Sequence, residues 1–307
     1  MTPVAASLLL TLSAPAAPAL RGEKIPPALI DLVPADTAGV LVIDVPRLTK
    51  TTIGRAGLRE IERRLSTQTV KLDGLLKDID VLLIAQFAIV EFAGDFCFLA
   101  HVRDGSKLPE ELLDYAERKG EDPVRRRIGK YDVYKVRDQD LWFAFPDKRT
   151  VMAVLPTGNA EETLEEAFGN REVRGPGREI RKWLEQDRPP DQPIRVFGAH
   201  KSKLGHSLGM ATMPFGEGMD RFKELGDQLL SYRGWVSIGE AILGELRVTC
   251  KDQATAGRVV TDLRSGAASA DPDFARDCHF FREREEAVAS FRISPDLWDL
   301  LRSKWKD

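Results

Sequence analysis

The chain has 307 residues, 43% of them hydrophobic and 30% charged, enough to bury a sizeable core in one large domain or two. Its 48 acidic and 45 basic side chains nearly cancel, and a net charge of -3 offers no electrostatic footprint for nucleic acid or an anionic surface. Three scattered cysteines, Cys97, Cys250 and Cys278, make neither a disulfide framework nor a zinc knuckle; they read as small apolar fillers, with one bridge at most.

The first stretch, "MTPVAASLLLTLSAPAAPAL", is free of charge before Arg21, and its apolar run from Val4 to Leu12 has the length of a signal-peptide core rather than a membrane span. Small residues at Ala14, Ala16, Ala17 and Ala19 supply cleavage sites, although no Lys or Arg follows Met1 as is usual. We therefore expect residues 1–24 to be a signal peptide or disordered leader of a periplasmic or extracellular protein. No later segment is apolar for long enough to span a bilayer, so the mature chain is expected to have no transmembrane segment.

Next, "IPPALIDLVPADTAGVLVIDVPRL" reads as a short helix, a turn at Pro34–Thr37 and a strand over Val40–Val45 stopped by Pro46. A helix follows with Leu58, Ile61 and Leu65 on one face, then two apolar runs broken near Glu91–Asp95, as in an antiparallel pair. "LPEELLDYAERKG" has Pro109 at the first helical position, acids in the first turn and Gly120 past the end, all signs of a helix. Residues 124–155 form a meander of three short strands with turns at Gly129 and Asp147, and Asn159 caps a helix closed by Gly169.

Gly175, Pro176, Gly177, Pro189 and Pro190 then mark a boundary, residues 170–192, a linker with a connecting helix. Beyond it the order repeats: helix, proline turn and strand; a face of Met219, Phe222, Leu225 and Leu229; a broken apolar pair; "DQATAGRVVTDLRSG", a helix ended by glycine; strands at "CHFF" and "AVASFRI"; and a helix capped by Ser294. Residues 84–102 align without gaps on the second pair, with Gly94 on Gly244. In that register Phe96, Phe98 and Ala100 are expected to face a core, as do Leu246, Val248 and Cys250, while His101 and Lys251 point outward. The expected fold is α+β: two related units, residues 25–169 and 193–307, each a mainly antiparallel sheet with helices packed on one face.

Three stretches carry possible chemistry. "HKSKLGHSLGMATMP" holds Gly-x-Ser-x-Gly at Gly205, Ser207 and Gly209, the spacing of a nucleophile elbow, with His279 and Asp277 downstream as base and orienting acid. Against it, "KSKL" separates the motif from the preceding strand and Pro214 interrupts the helix that should follow. His200 and His206 lack a third ligand, so no metal is expected; no cofactor loop follows a strand in the required βα turn, so no cofactor is expected either. "VRRRIGK" reads as the charged edge of a strand. Last, "GMATMPFGEGM" places Met210, Met213 and Phe215 among glycines, an adaptable apolar surface for a ligand or protein partner.

The segment "LVPADTAGVLVIDVPRL" behind an apolar leader, with "DLWFAFPDKRTVMAVL" before a later helix, resembles exported bacterial proteins of unknown function, notably from planctomycete-type genomes, in which a Pro-Ala-Asp-Thr turn precedes the first strand. The resemblance implies export and a duplicated α+β body, and no catalytic residue. The function expected is a non-catalytic extracytoplasmic protein that binds an unknown protein or small ligand and no nucleic acid; the alternative is a serine hydrolase built on Ser207.

Overall fold

A computed structural model describes residues 24–65, 78–90, 93–117, 124–135, 141–156, 159–169, 175–186, 191–199, 204, 208, 222 and 224–304. In chain order these form α1 (Pro27–Ile30), β1 (Gly39–Asp44), α2 (Val45–Leu48), α3 (Thr52–Leu65), β2 (Ile79–Val90), β3 (Ala93–Val102), α4 (Leu108–Glu117), β4 (Arg125–Ile128), β5 (Tyr131–Lys135), β6 (Trp142–Asp147), β7 (Thr150–Leu155) and α5 (Ala160–Phe168). After these come α6 (Arg178–Leu184), β8 (Ile194–Gly198), a 3-10 turn (Gly226–Gln228), β9 (Leu229–Ile238), β10 (Ile242–Cys250), α7 (Gln253–Ala270), α8 (Pro272–Arg276), β11 (Cys278–Glu283), β12 (Glu286–Ile293) and α9 (Pro295–Lys304).

Local chemistry explains most of the boundaries. Asn159 Oδ1 accepts from the Glu161 N–H at 3.2 Å, Asp252 from Thr255 at 2.8 Å, and Ser294 Oγ from Leu297 at 3.2 Å, satisfying donors that open helices leave unpaired. Other boundaries differ from the expectation. Pro46 does not end a strand but sits in the first turn of α2, where its missing N–H costs no bond, and Asp44 caps that turn by accepting from Arg47 at 3.2 Å. Gly129, at φ +54°, turns the first meander segment into a hairpin, so residues 124–155 hold four strands rather than three. Leu229 opens β9 rather than closing a helix, and α7 runs through Gly266 to Ala270 because its buried face continues to Ala267.

The described strands make one twelve-stranded sheet in the order β11-β12-β10-β9-β8-β1-β2-β3-β7-β6-β5-β4, with every pairing antiparallel. The α+β class is as expected, but the sheet does not divide in two: β1 and β8 pair directly, Gly39 opposite Gly198 through Ile43 opposite Ile194.

Directly opposed residues share a face, so rows can be followed across the sheet. One front row runs Ala153, Phe98, Ile84, Leu41, Val196, Gly234, Leu246, Ala289. On the back, the row beside it runs Met152, Leu99, Leu83, Val42, then Arg195, Trp235, Glu245, Ser290. Where β1 meets β8 the back face thus changes from aliphatic to polar.

The helices follow that change. On the back of β1–β7, Leu29, Ile30, Leu164, Phe168, Ile180 and Leu184 of α1, α5 and α6 pack on Val42, Leu83, Cys97 and Leu99. Part of the front of the same strands is also covered, by Val45, Leu48, Leu58 and Leu108 of α2, α3 and α4, which pack around Ala100, Val102 and Val151. Over β9–β12 the front alone carries a core, in which Val259, Leu263, Phe274 and Leu297 from α7, α8 and α9 meet Leu246, Val248 and Cys250. The expected one-faced covering therefore describes the second half and not the first. The expected role of β3 changes with it: Ala100 is buried, but Phe96 and Phe98 are half-buried at the front, while Cys97 and Leu99 fill the back core. His101 lies on the back with Leu99 and is half-buried rather than outward; Lys251 is exposed.

Candidate functional site

On the front, over the middle strands β8, β1, β2 and β3, the sheet is indented. Gly39 on the front of β1 lines the indentation without a side chain; on the neighbouring strands Gly198 opposes Gly39 and Gly234 opposes Val196. At Gly198 the space is taken by an aromatic ring, since a Cβ there would fall inside the Tyr232 ring. Around the floor stand Leu41, Ile84, Phe96, Phe98, Leu155 and Val236, enclosing a cavity of about 570 Å³. The Phe96 and Phe98 rings lie 6.4 Å apart and tilted by 36°, one wall of the cavity.

The site is chemically quiet. Among its described lining residues there is no Asp, Glu, Lys or His, and the one arginine, Arg195, carries its guanidinium on the other face, 4.9 Å from the Trp183 ring. Gln86 contributes the one side-chain amide of the described lining and is 9% exposed. The described lining on the front is thus mainly apolar, with polar groups at Tyr232 and Gln86.

Of the residues singled out from the sequence, His279 and Asp277 do not line this cavity. Ser207, Met210, Met213 and Phe215 lie outside the described residues, as does the leader. Leu204 and Leu208, which flank Gly205 and Ser207, are helical, four apart and fully buried in the front core of the second half. His279 is exposed on the back of β11 at the sheet's end, and Asp277 is exposed just before it, its N–H donating to the Phe274 carbonyl at 3.1 Å. All described pairings are antiparallel, whereas the serine elbow of α/β-hydrolases leaves a strand of a parallel sheet.

The other features of the sequence find structural roles. Arg125 and Arg127 on β4 hold Asp132 at 2.6 and 3.1 Å, which keeps the Asp132 carboxyl below its ordinary range, so the "RRRI" strand is a charge-compensated sheet edge. Cys97, Cys250 and Cys278 are free and buried; burial, reinforced by Asp252 and Asp277 respectively, pushes the Cys250 and Cys278 thiols up to about 12, where they are inert. Among the described residues no three His, Cys, Asp or Glu side chains converge as a metal site would require, and no helix is long and apolar enough to cross a membrane.

What the sequence reading missed is the cavity itself. Its signals were present: glycines inside strands, and in β3 apolar residues at both parities, the pattern of a strand with two covered faces.

No family model matches the chain, and no curated protein is similar to it in sequence. Among solved structures, crystal form I of TP0453 is similar in fold, at 11% identity and a TM-score of 0.50, covering 92% of this chain and 98% of that one. Crystal form III of TP0453 is 10% identical with a TM-score of 0.47, covering 89% of this chain and 97% of that one. The likeness is one of architecture, shared by two chains of nearly the same extent.

Proposed function

We propose that the chain is an exported, non-catalytic binding protein that holds a small apolar ligand in the front cavity. One observation carries this reading: a cavity of about 570 Å³ bordered by half-buried Phe96, Phe98, Leu41 and Ile84, with no Asp, Glu, Lys or His among its described lining residues. Its volume is that of sites for drug-sized ligands, about 300–1,000 Å³. The half-exposed aliphatic and aromatic walls gain from a ligand that removes them from water, at about 25 cal/mol per Å². Gln86 favours a ligand with one hydrogen-bonding group at the end of an apolar body.

Export is supported by the apolar leader and its small-residue sites, which place the mature start between Ala17 and Lys24. Duplication is supported by strand order: outward from the centre, β1-β2-β3-β7-β6 on one side matches β8-β9-β10-β12-β11 on the other, with β5 and β4 added to the first. Phe96 and Leu246, which the alignment pairs, lie on the same face.

The test is titration with the neutral dye N-phenyl-1-naphthylamine. Saturable, one-to-one fluorescence enhancement is expected, weakened about tenfold or more by Phe98→Asp, which buries a carboxylate against the ligand. Dye binding that ignores Phe98→Asp would overturn the assignment of the cavity. Labelling by a fluorophosphonate that disappears in Ser207→Ala would overturn the non-catalytic reading and favour a hydrolase.

A further inference from the structure

Behind the apolar cavity, on the back of β8, β9 and β10, lies a second cavity of about 350 Å³ with opposite chemistry. We infer that it is a site for a neutral, polyhydroxylated ring, a sugar unit, distinct from the apolar ligand on the front.

The lining carries the inference. Trp183 of α6 lies stacked on Phe197, 5.2 Å between centroids and 14° between planes, and over the buried Arg195 guanidinium at 4.9 Å. Those contacts fix the indole, which remains half-exposed, as does Trp235, the cross-strand neighbour of Arg195. Rigid, part-exposed indoles offer flat apolar surfaces with little entropy left to lose, suited to the C–H face of a pyranose. Gln186 and Gln192 also line the cavity, and neither side-chain amide has a hydrogen bond among the described residues. An amide donates and accepts at once, which matches vicinal hydroxyls better than it matches a carboxylate or phosphate.

Charge decides between a sugar and an anion. Three arginines, Arg195, Arg233 and Arg247, face this side, but so do Glu245, Glu283 and Glu286. Arg247 binds Glu245 and Glu283 at 2.7 Å and Glu286 at 3.2 Å, and Arg233 binds Glu286 at 3.2 Å. Arg233 and Arg247 are therefore paired within the wall and Arg195 lies against the Trp183 ring, while three carboxylates balance three guanidiniums on this side, so the balance of charge favours a neutral ligand, for which these oriented groups remain hydrogen-bonding partners.

The experiment titrates the full chain with glucose, N-acetylglucosamine and inorganic phosphate, following tryptophan emission and heat. Saturable binding of at least one sugar at concentrations up to roughly 100 mM is expected, with no response to phosphate. Gln192→Ala should weaken sugar binding roughly three- to tenfold, the loss of one or two hydrogen bonds, with far-ultraviolet circular dichroism unchanged. Phe98→Asp should leave it unaffected, which separates this site from the front cavity. Absence of saturable binding by both sugars, binding of phosphate in their place, or sugar binding indifferent to Gln192→Ala would each overturn the inference.

Discussion

The back face of the sheet is two surfaces joined at the β1–β8 pair. Over β1–β7 it is an aliphatic layer beneath α1, α5 and α6, with Leu83 and Leu99 fully buried. Over β9–β12 it carries Arg233, Arg247, Glu245 and Glu286 in one ion cluster, and Leu243 is 40% exposed. A continuous ladder of hydrogen bonds therefore does not require a continuous core: each half is held by whichever face its helices cover, and the junction is where the covering changes. Both cavities sit there.

Truncation should separate the halves most strongly. Leu99→Ala, beneath the helices, is expected to cost about 2–5 kcal/mol, whereas Leu243→Ala on the same face of β10 should stay within about 0.5 kcal/mol. Urea unfolding of both variants checks this, and equal losses would dissolve the contrast. Next in size is Gly198→Ala at the junction: the added methyl must displace the Tyr232 ring, at about 1–3 kcal/mol, and should reduce dye binding in the front cavity by distorting its floor. Smaller again is Arg247→Met, where hydrogen bonds with Glu245, Glu283 and Glu286 hold the guanidinium pKa above its ordinary value. Because that cluster is wetted, the loss should be no more than about 1 kcal/mol and should shrink with added salt.

The smallest effect concerns His101. Burial, with Arg149 beside it, lowers the His101 pKa below its usual 6.5, against the opposing pull of Asp80 and Asp147. The unfolded chain then binds the proton more readily than the folded one, so this contribution is complete above pH 6.5 and is lost as pH falls through the lower folded value. Between about pH 7.5 and 5, the thermal midpoint of His101→Gln should decline less than that of the unaltered chain. An identical decline would mean that His101 is not desolvated.

The sequence made the second half legible and the first only partly so. Along β10, apolar Leu246, Val248 and Cys250 alternate with Glu245, Arg247 and Thr249, so one parity names the covered face. Along β3, Phe96, Cys97, Phe98, Leu99 and Ala100 are apolar in succession because the back is covered by helices while the front passes from the cavity at Phe96 and Phe98 to the packed cluster at Ala100, and parity alone does not say which face holds the larger core. The cavity was hidden for another reason. Leu41 and Ile84 meet Val196 and Val236 only through the β1–β8 pairing, which joins positions remote in the chain and which no local pattern announces. The capped helices, by contrast, were readable at Asn159 and Ser294, where the signal and its effect lie within one turn.

The most direct test of a ligand site at the junction is an isotope-filtered NMR experiment on the methyl-labelled chain with a neutral alkyl-aromatic ligand such as 4-nonylphenol. Intermolecular nuclear Overhauser effects are expected from the ligand's alkyl protons to the methyl groups of Leu41, Ile84, Leu155 and Val196, with none to Leu243 on the back. Effects confined to Leu243 and other exposed methyls, or none at saturation, would contradict the assignment of the front cavity as the binding site.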